Sequence, residues 1–166
     1  MSNIIARPNL LIPTLAGAAI SVNDLRGQII VLAFINEATC HTGQTLELID
    51  GIMLQVGPRL LRSIGCIVDL YDGERPRDNF SAFTCDVGWA SRRQVAEFLK
   101  VSMSGFHLPQ LLVIDASGRH RLRCIPHGVD YEEAVVNLRE SIEHIVEEQR
   151  RALASAERRP EMVETR

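Results

Sequence analysis

Ile29-Ile30-Val31-Leu32-Ala33-Phe34-Ile35 is an unbroken apolar run rich in β-branched side chains. A strand with one wet face alternates polar and apolar residues. A run without alternation suits a central strand buried on both faces, and so a sheet covered by helices. After Cys40 the period changes. Leu46, Ile49, Met53, Val56 and Leu60 recur at three- to four-residue spacing, the mark of an amphipathic helix. Gly57-Pro58 ends or kinks it, because proline lacks the amide hydrogen and crowds the preceding turn. Ile64-Gly65-Cys66-Ile67-Val68-Asp69-Leu70 then reads as a second buried strand.

Upstream, Met1 to Gly27 holds scattered apolar residues broken by Pro8, Pro13 and Gly17, which predicts an extended arm or small hairpin with Asp24 to Gly27 as a turn. Downstream, Tyr71 to Ala90 is weakly patterned, with a short helix expected around Asn79 to Phe83. Ser91-Arg92-Arg93-Gln94 is a capping box opening a helix that carries Val95, Phe98 and Leu99. Leu111 to Ile114 and His120 to Cys124 flank the turn Asp115-Ala116-Ser117-Gly118, an antiparallel hairpin. Asp130 and Glu133 cap a last helix with the apolar stripe Tyr131, Ala134, Val135, Leu138, Ile142, Ile145 and Val146. Beyond about Leu153 the chain turns polar, so residues 1–153 are expected to form one domain and 154–166 a flexible tail. Parallel central strands joined by a helical crossover, followed by a hairpin, give a mixed sheet with helices on both faces. The fold class is α/β.

Composition narrows the function classes. A chain of 166 residues, 46% apolar and with a formal net charge of −3, can bury a core without staples and is not disordered. With 18 basic against 21 acidic residues it lacks the basic excess of a nucleic-acid binder. No apolar run approaches the ~20 residues that cross a bilayer, and the opening residues lack the pattern of a signal peptide. A cytoplasmic location without membrane contact is expected. The four cysteines, Cys40, Cys66, Cys85 and Cys124, are dispersed, with no C-x-x-C pair, which excludes zinc ribbons and disulfide-dense scaffolds. Cys66 lies in an apolar strand and reads as core, Cys124 as a strand residue facing either core or surface. Cys85 is the one plausible intramolecular partner for Cys40. Cys40 precedes a helix, where unpaired backbone N–H groups and the positive end of the dipole favour a thiolate, and His41 beside it would assist when protonated.

The order of elements and two stretches resemble the redoxin group of thioredoxin-like proteins, which includes the alkyl hydroperoxide reductase/thiol-specific antioxidant proteins and the TlpA-like thioredoxins. Pro8, Leu15, Gly17, Val22, Leu25, Gly27 and Ile29 to Phe34 fall in step with that group's amino-terminal pattern. His107-Leu108-Pro109-Gln110-Leu111-Leu112-Val113-Ile114-Asp115-Ala116-Ser117-Gly118 is similar to its "G-x-P-T-T-F-L-I-D-x-x-G". The resemblance implies a three-layer thioredoxin-like sandwich. It also implies a nucleophile at the start of the first helix and a cis proline, Pro109, facing it, with the Leu108 backbone free to pair with a partner peptide. Where the family has C-x-x-C, this chain has Cys40-His41-Thr42-Gly43, so Gly43 replaces the resolving cysteine. Phe34 precedes Cys40 by six residues where the family usually has five. Either the loop carries one extra residue, or Thr39 occupies the nucleophile's place.

Two classes of function follow. In the first, Cys40 acts alone as the nucleophile of a thiol oxidoreductase, with His41 and Pro109 beside it and Thr39, Thr42, Gly43, His107 and Leu108 lining the partner groove. Glutathione or thioredoxin would serve as reductant. In the second, the chain is a redox-inactive binding or regulatory protein that keeps the groove, and its last helix offers a partner or homodimer surface. A one-cysteine peroxidase site is the weaker enzyme reading, since the P-x-x-x-T-x-x-C pattern is absent. No cofactor is called for. Cys40, His41 and His107 are suitable ligand types for a soft metal but too few for a firm site, so no metal is expected.

Overall fold

The computed structural model describes residues 8–37, 40–69, 80–125 and 131–158, with the side chains of Cys40 and Asp69 outside that description. A small hairpin comes first, β1 (Leu11–Pro13) antiparallel to β2 (Ala19–Ser21), with Leu11 opposite Ser21. A 3-10 turn at Val22–Leu25 leads into β3 (Ile29–Ile35), the predicted apolar run to the residue. Helix α1 (Cys40–Val56) crosses over to β4 (Leu61–Asp69). Then come β5 (Asp86–Ser91), α2 (Arg92–Leu99), the hairpin of β6 (Gln110–Ile114) and β7 (His120–Cys124), and α3 (Tyr131–Glu157).

These strands form one sheet in the order β5-β4-β3-β6-β7. β3 pairs parallel with β4 and antiparallel with β6. The missing alternation in β3 has a direct cause. Ile29, Val31, Ala33 and Ile35 belong to the core under α1 and α3, whereas Ile30, Leu32 and Phe34 belong to the core formed with α2 and the amino-terminal hairpin. Both faces are dry, so period two is invisible in the sequence. α1 sits close on the sheet because Gly65 of β4 has no side chain; a Cβ there would lie 2.4 Å from Leu46 Cδ2. α1 stops where predicted, with Gly57 at φ +103° and its N–H donating to the Met53 carbonyl at 2.8 Å. The capping box of α2 is formed in full by Ser91 and Gln94.

Three expectations are corrected. β5 is a strand the sequence reading missed. Its residues Val87-Gly88-Trp89-Ala90 carry little strand signal, and its pairing depends on distant chain: β4 on one edge and, on the other, the bridge between Thr14 and Gly88. The helix expected around Asn79 to Phe83 is, over Phe80 to Phe83, a single turn closed by the Phe83 N–H on the Phe80 carbonyl at 3.2 Å; Asn79 lies outside the described residues. α3 continues past residue 153 to Glu157, exposed from Arg150 onward. Good helix formers such as Ala152, Ala154 and Ala156 sustain it without a buried face.

Candidate functional site

β3 runs up the middle of the sheet and releases the chain at its carboxyl end through Asn36 and Glu37 into α1, whose first residue is Cys40. Across the strand, Phe34 pairs with Gln110, which sets Pro109 level with Ile35, the last residue of β3. The topology thus brings the connection before α1 and the segment His107-Leu108-Pro109 to the same end of the same pair of strands.

Within the first turn of α1 the residues divide by face. His41 and Gly43 are exposed. Thr42 is buried, and its hydroxyl donates to the Asn36 carbonyl, tying the helix start to the strand exit. Thr45, one turn on, is 1% exposed, and its hydroxyl oxygen has no hydrogen-bond partner among the described residues. Thr39 lies outside those residues.

On the facing segment the Leu108–Pro109 peptide bond is cis. His107 is exposed, Leu108 half-buried and Pro109 buried. Two contacts that the sequence did not reveal brace this segment. The Gln110 amide donates from Nε2 to the His107 carbonyl at 3.0 Å and accepts at Oε1 from Arg123 Nε at 2.7 Å. Arg92, at the start of α2, donates from both terminal nitrogens to the Phe106 carbonyl at 3.3 Å and lies 5.0 Å from the centroid of the Phe106 ring. The signal available in the sequence was Gln110 itself, a long amide directly after the proline where the quoted family pattern has threonine.

The three cysteines whose side chains are described are Cys66, Cys85 and Cys124. Cys66, fully buried in β4, has its thiol driven far up by loss of water. Cys85 is raised to about 12, first by burial and then by the nearby Asp50 and Asp86 charges. Cys124, half-buried on β7, is also raised by burial. Nor can Cys85 pair with Cys40. Its N–H donates to Asp50 Oδ1 at 2.7 Å, and Asp50 lies about 15 Å along α1 from Cys40 at 1.5 Å per residue. A disulfide needs Cα atoms within roughly 7 Å. The Cys40–Cys85 pairing is thus corrected: β5 enters the sheet beside the middle of α1, far from its start.

Trp89 is half-buried and packs against the core under α1. Glu37 sits half-buried in the turn before α1. Among the described residues no three His, Cys, Asp or Glu side chains gather to hold a metal, and no helix is long and apolar enough to cross a membrane.

The fold is thioredoxin-like. The described architecture aligns with a DsbE thiol:disulfide interchange protein of Chlorobium tepidum at a TM-score of 0.64 and 16% identity, covering 84% of this chain and 94% of that one. It aligns with the pneumococcal exposed lipoprotein thioredoxin Etrx1 of Streptococcus pneumoniae at 0.59 and 14%, covering 84% and 98%. StoA from Bacillus subtilis aligns at 0.56 and 13%, covering 82% and 97%. Identities this low establish shared architecture and nothing about chemistry. No family model and no curated protein matches the chain.

Proposed function

We propose that the chain is a thiol-disulfide oxidoreductase that works through one nucleophile, Cys40. The observation that supports this reading is that α1 begins at Cys40, after the carboxyl end of β3, the strand end that the register sets level with Pro109. The other three thiols are held protonated by burial. A thiol at a helix start meets unpaired N–H groups and the positive end of the helix dipole, both of which stabilise the thiolate. The thiolate attacks one sulfur of a partner disulfide, forming a Cys40 mixed disulfide and releasing the partner's other sulfur as a thiolate that takes a proton from water. With Gly43 where a second cysteine would resolve this species, release needs an external thiol. One glutathione attacks and frees the partner's second thiol; another regenerates Cys40, leaving oxidised glutathione, so that one disulfide is reduced and two thiols are oxidised. Reduced thioredoxin would supply both electrons from its own dithiol. The cytoplasm, the proposed location, keeps such thiols available.

The test is trapping. Incubation with a cystine-bridged peptide, acid quench and mass spectrometry should show the mixed disulfide on Cys40, discharged by added glutathione and absent in Cys40→Ser. An adduct distributed over Cys124 or Cys85 instead would refute the assignment. The same Gly43 favours a second reading, a binding or regulatory protein that keeps the groove without turnover. In that case Cys40→Ser retains full function in the cell.

A further inference from the structure

We propose that Gln110 is a positioning residue that sets the direction of the backbone donor offered to a docking partner, and this rests on the reading of Cys40 and Leu108 given above. Gln110 opens β6, is 2% exposed, and is one of few buried polar side chains in the sheet among the described residues. A buried amide needs partners for both ends, and here each end has one. Oε1 accepts the charge-assisted bond from Arg123 on β7, which fixes the rotation of the amide and turns Nε2 toward the His107 carbonyl. That carbonyl belongs to the same planar unit as the Leu108 N–H, and across a trans peptide the two point in opposite directions. Holding the His107 oxygen on the β6 side therefore turns the Leu108 N–H the other way. Arg92 holds the preceding carbonyl, that of Phe106, from α2. Two successive carbonyls are thus each gripped by a side chain from a different element, immediately before the residues that form the docking edge. Leucine or valine at position 110 would fill the sheet equally well and leave that peptide plane free to rotate.

The experiment compares two reactions of Cys40 in the full chain. Iodoacetamide is small and needs only the thiolate; a cystine-bridged peptide needs the docking edge as well. Gln110→Met keeps the volume and removes both hydrogen bonds. It should slow mixed-disulfide formation with the peptide by about tenfold, the worth of one lost directing hydrogen bond. Alkylation by iodoacetamide should stay within about twofold of the unaltered chain, since the thiolate is untouched. Gln110→Glu still accepts from Arg123 but presents oxygen to the His107 carbonyl, and should not rescue the peptide reaction. Arg123→Met, at an exposed position, should give a smaller loss in the same direction, and it carries the test should Gln110→Met fold poorly. Equal peptide rates in the unaltered chain and in these variants would overturn the positioning role alone. A Cys40 that forms no peptide adduct even in the unaltered chain would overturn the oxidoreductase reading and this role with it.

Discussion

The pH dependence of alkylation discriminates among the four cysteines more sharply than any single substitution. Only the thiolate reacts, so the relative rate follows the ionised fraction and access. At pH 7.5, Cys85, raised to about 12, is ionised to roughly 3 parts in 100,000, and Cys66 to less. A thiol without that burial is ionised to a far larger fraction at the same pH. On the reading proposed above, a thiol at the start of α1 should outpace Cys85 by orders of magnitude on ionisation alone. The assay is iodoacetamide labelling of the folded chain between pH 5 and 9, with the four cysteine-containing peptides quantified separately. Cys40 should label first at every pH, and its rate should level off within this range. Cys66 and Cys85 should label only through opening of the sheet, at rates that rise with denaturant. Should Cys124 overtake Cys40, or all four rise together tenfold per pH unit without a plateau, the assignment of a reactive thiol to the start of α1 is wrong.

Gly88→Ala should destabilise the chain by about 2 kcal/mol in urea unfolding, because the new Cβ would lie 2.3 Å from the Pro13 carbonyl oxygen and drive the β1–β2 hairpin off the β5 edge. Cys66→Ser should cost about 1–3 kcal/mol by the same measure, since a hydroxyl replaces a fully buried thiol within an apolar strand. Asp115 tests the linkage to acid. Burial alone would raise its carboxyl, but hydrogen bonds from Ser117, Arg119 and Arg121 outweigh that and hold it below the usual range. A depressed value means its contribution is complete above the unfolded value of about 3.9 and is lost as pH falls through the lower folded one. Asp115→Asn should therefore cost at most about 1 kcal/mol at pH 7, with the difference from the unaltered chain shrinking below about pH 4.

How much of this was legible in the sequence depends on the range of the interactions. β3, α1, the α2 capping box and the β6–β7 hairpin are written locally. An apolar run, a helical period, Ser91 with Gln94, and Asp115 to Gly118 each name their own element, and the structure has all four. β5 was illegible because neither of its edges is local. One is β4; the other is a hairpin more than sixty residues upstream that needs Gly88 to come close. The candidate site divides in the same way. Cys40 could be singled out from its position between a buried strand and a helix, and Pro109 only through the resemblance of His107 to Gly118 to the redoxin pattern. What braces Pro109's segment could not, because Gln110, Arg92 and Arg123 come from three elements and their meeting depends on the register of β3 against β6 and of β6 against β7. A one-residue slip of β6 would turn Gln110 to the opposite face of the sheet and take its amide away from the His107 carbonyl. The same register that sets Pro109 level with the end of β3 therefore also places Gln110 to hold the His107 carbonyl, and with it the direction of the Leu108 N–H on which the proposed docking edge depends.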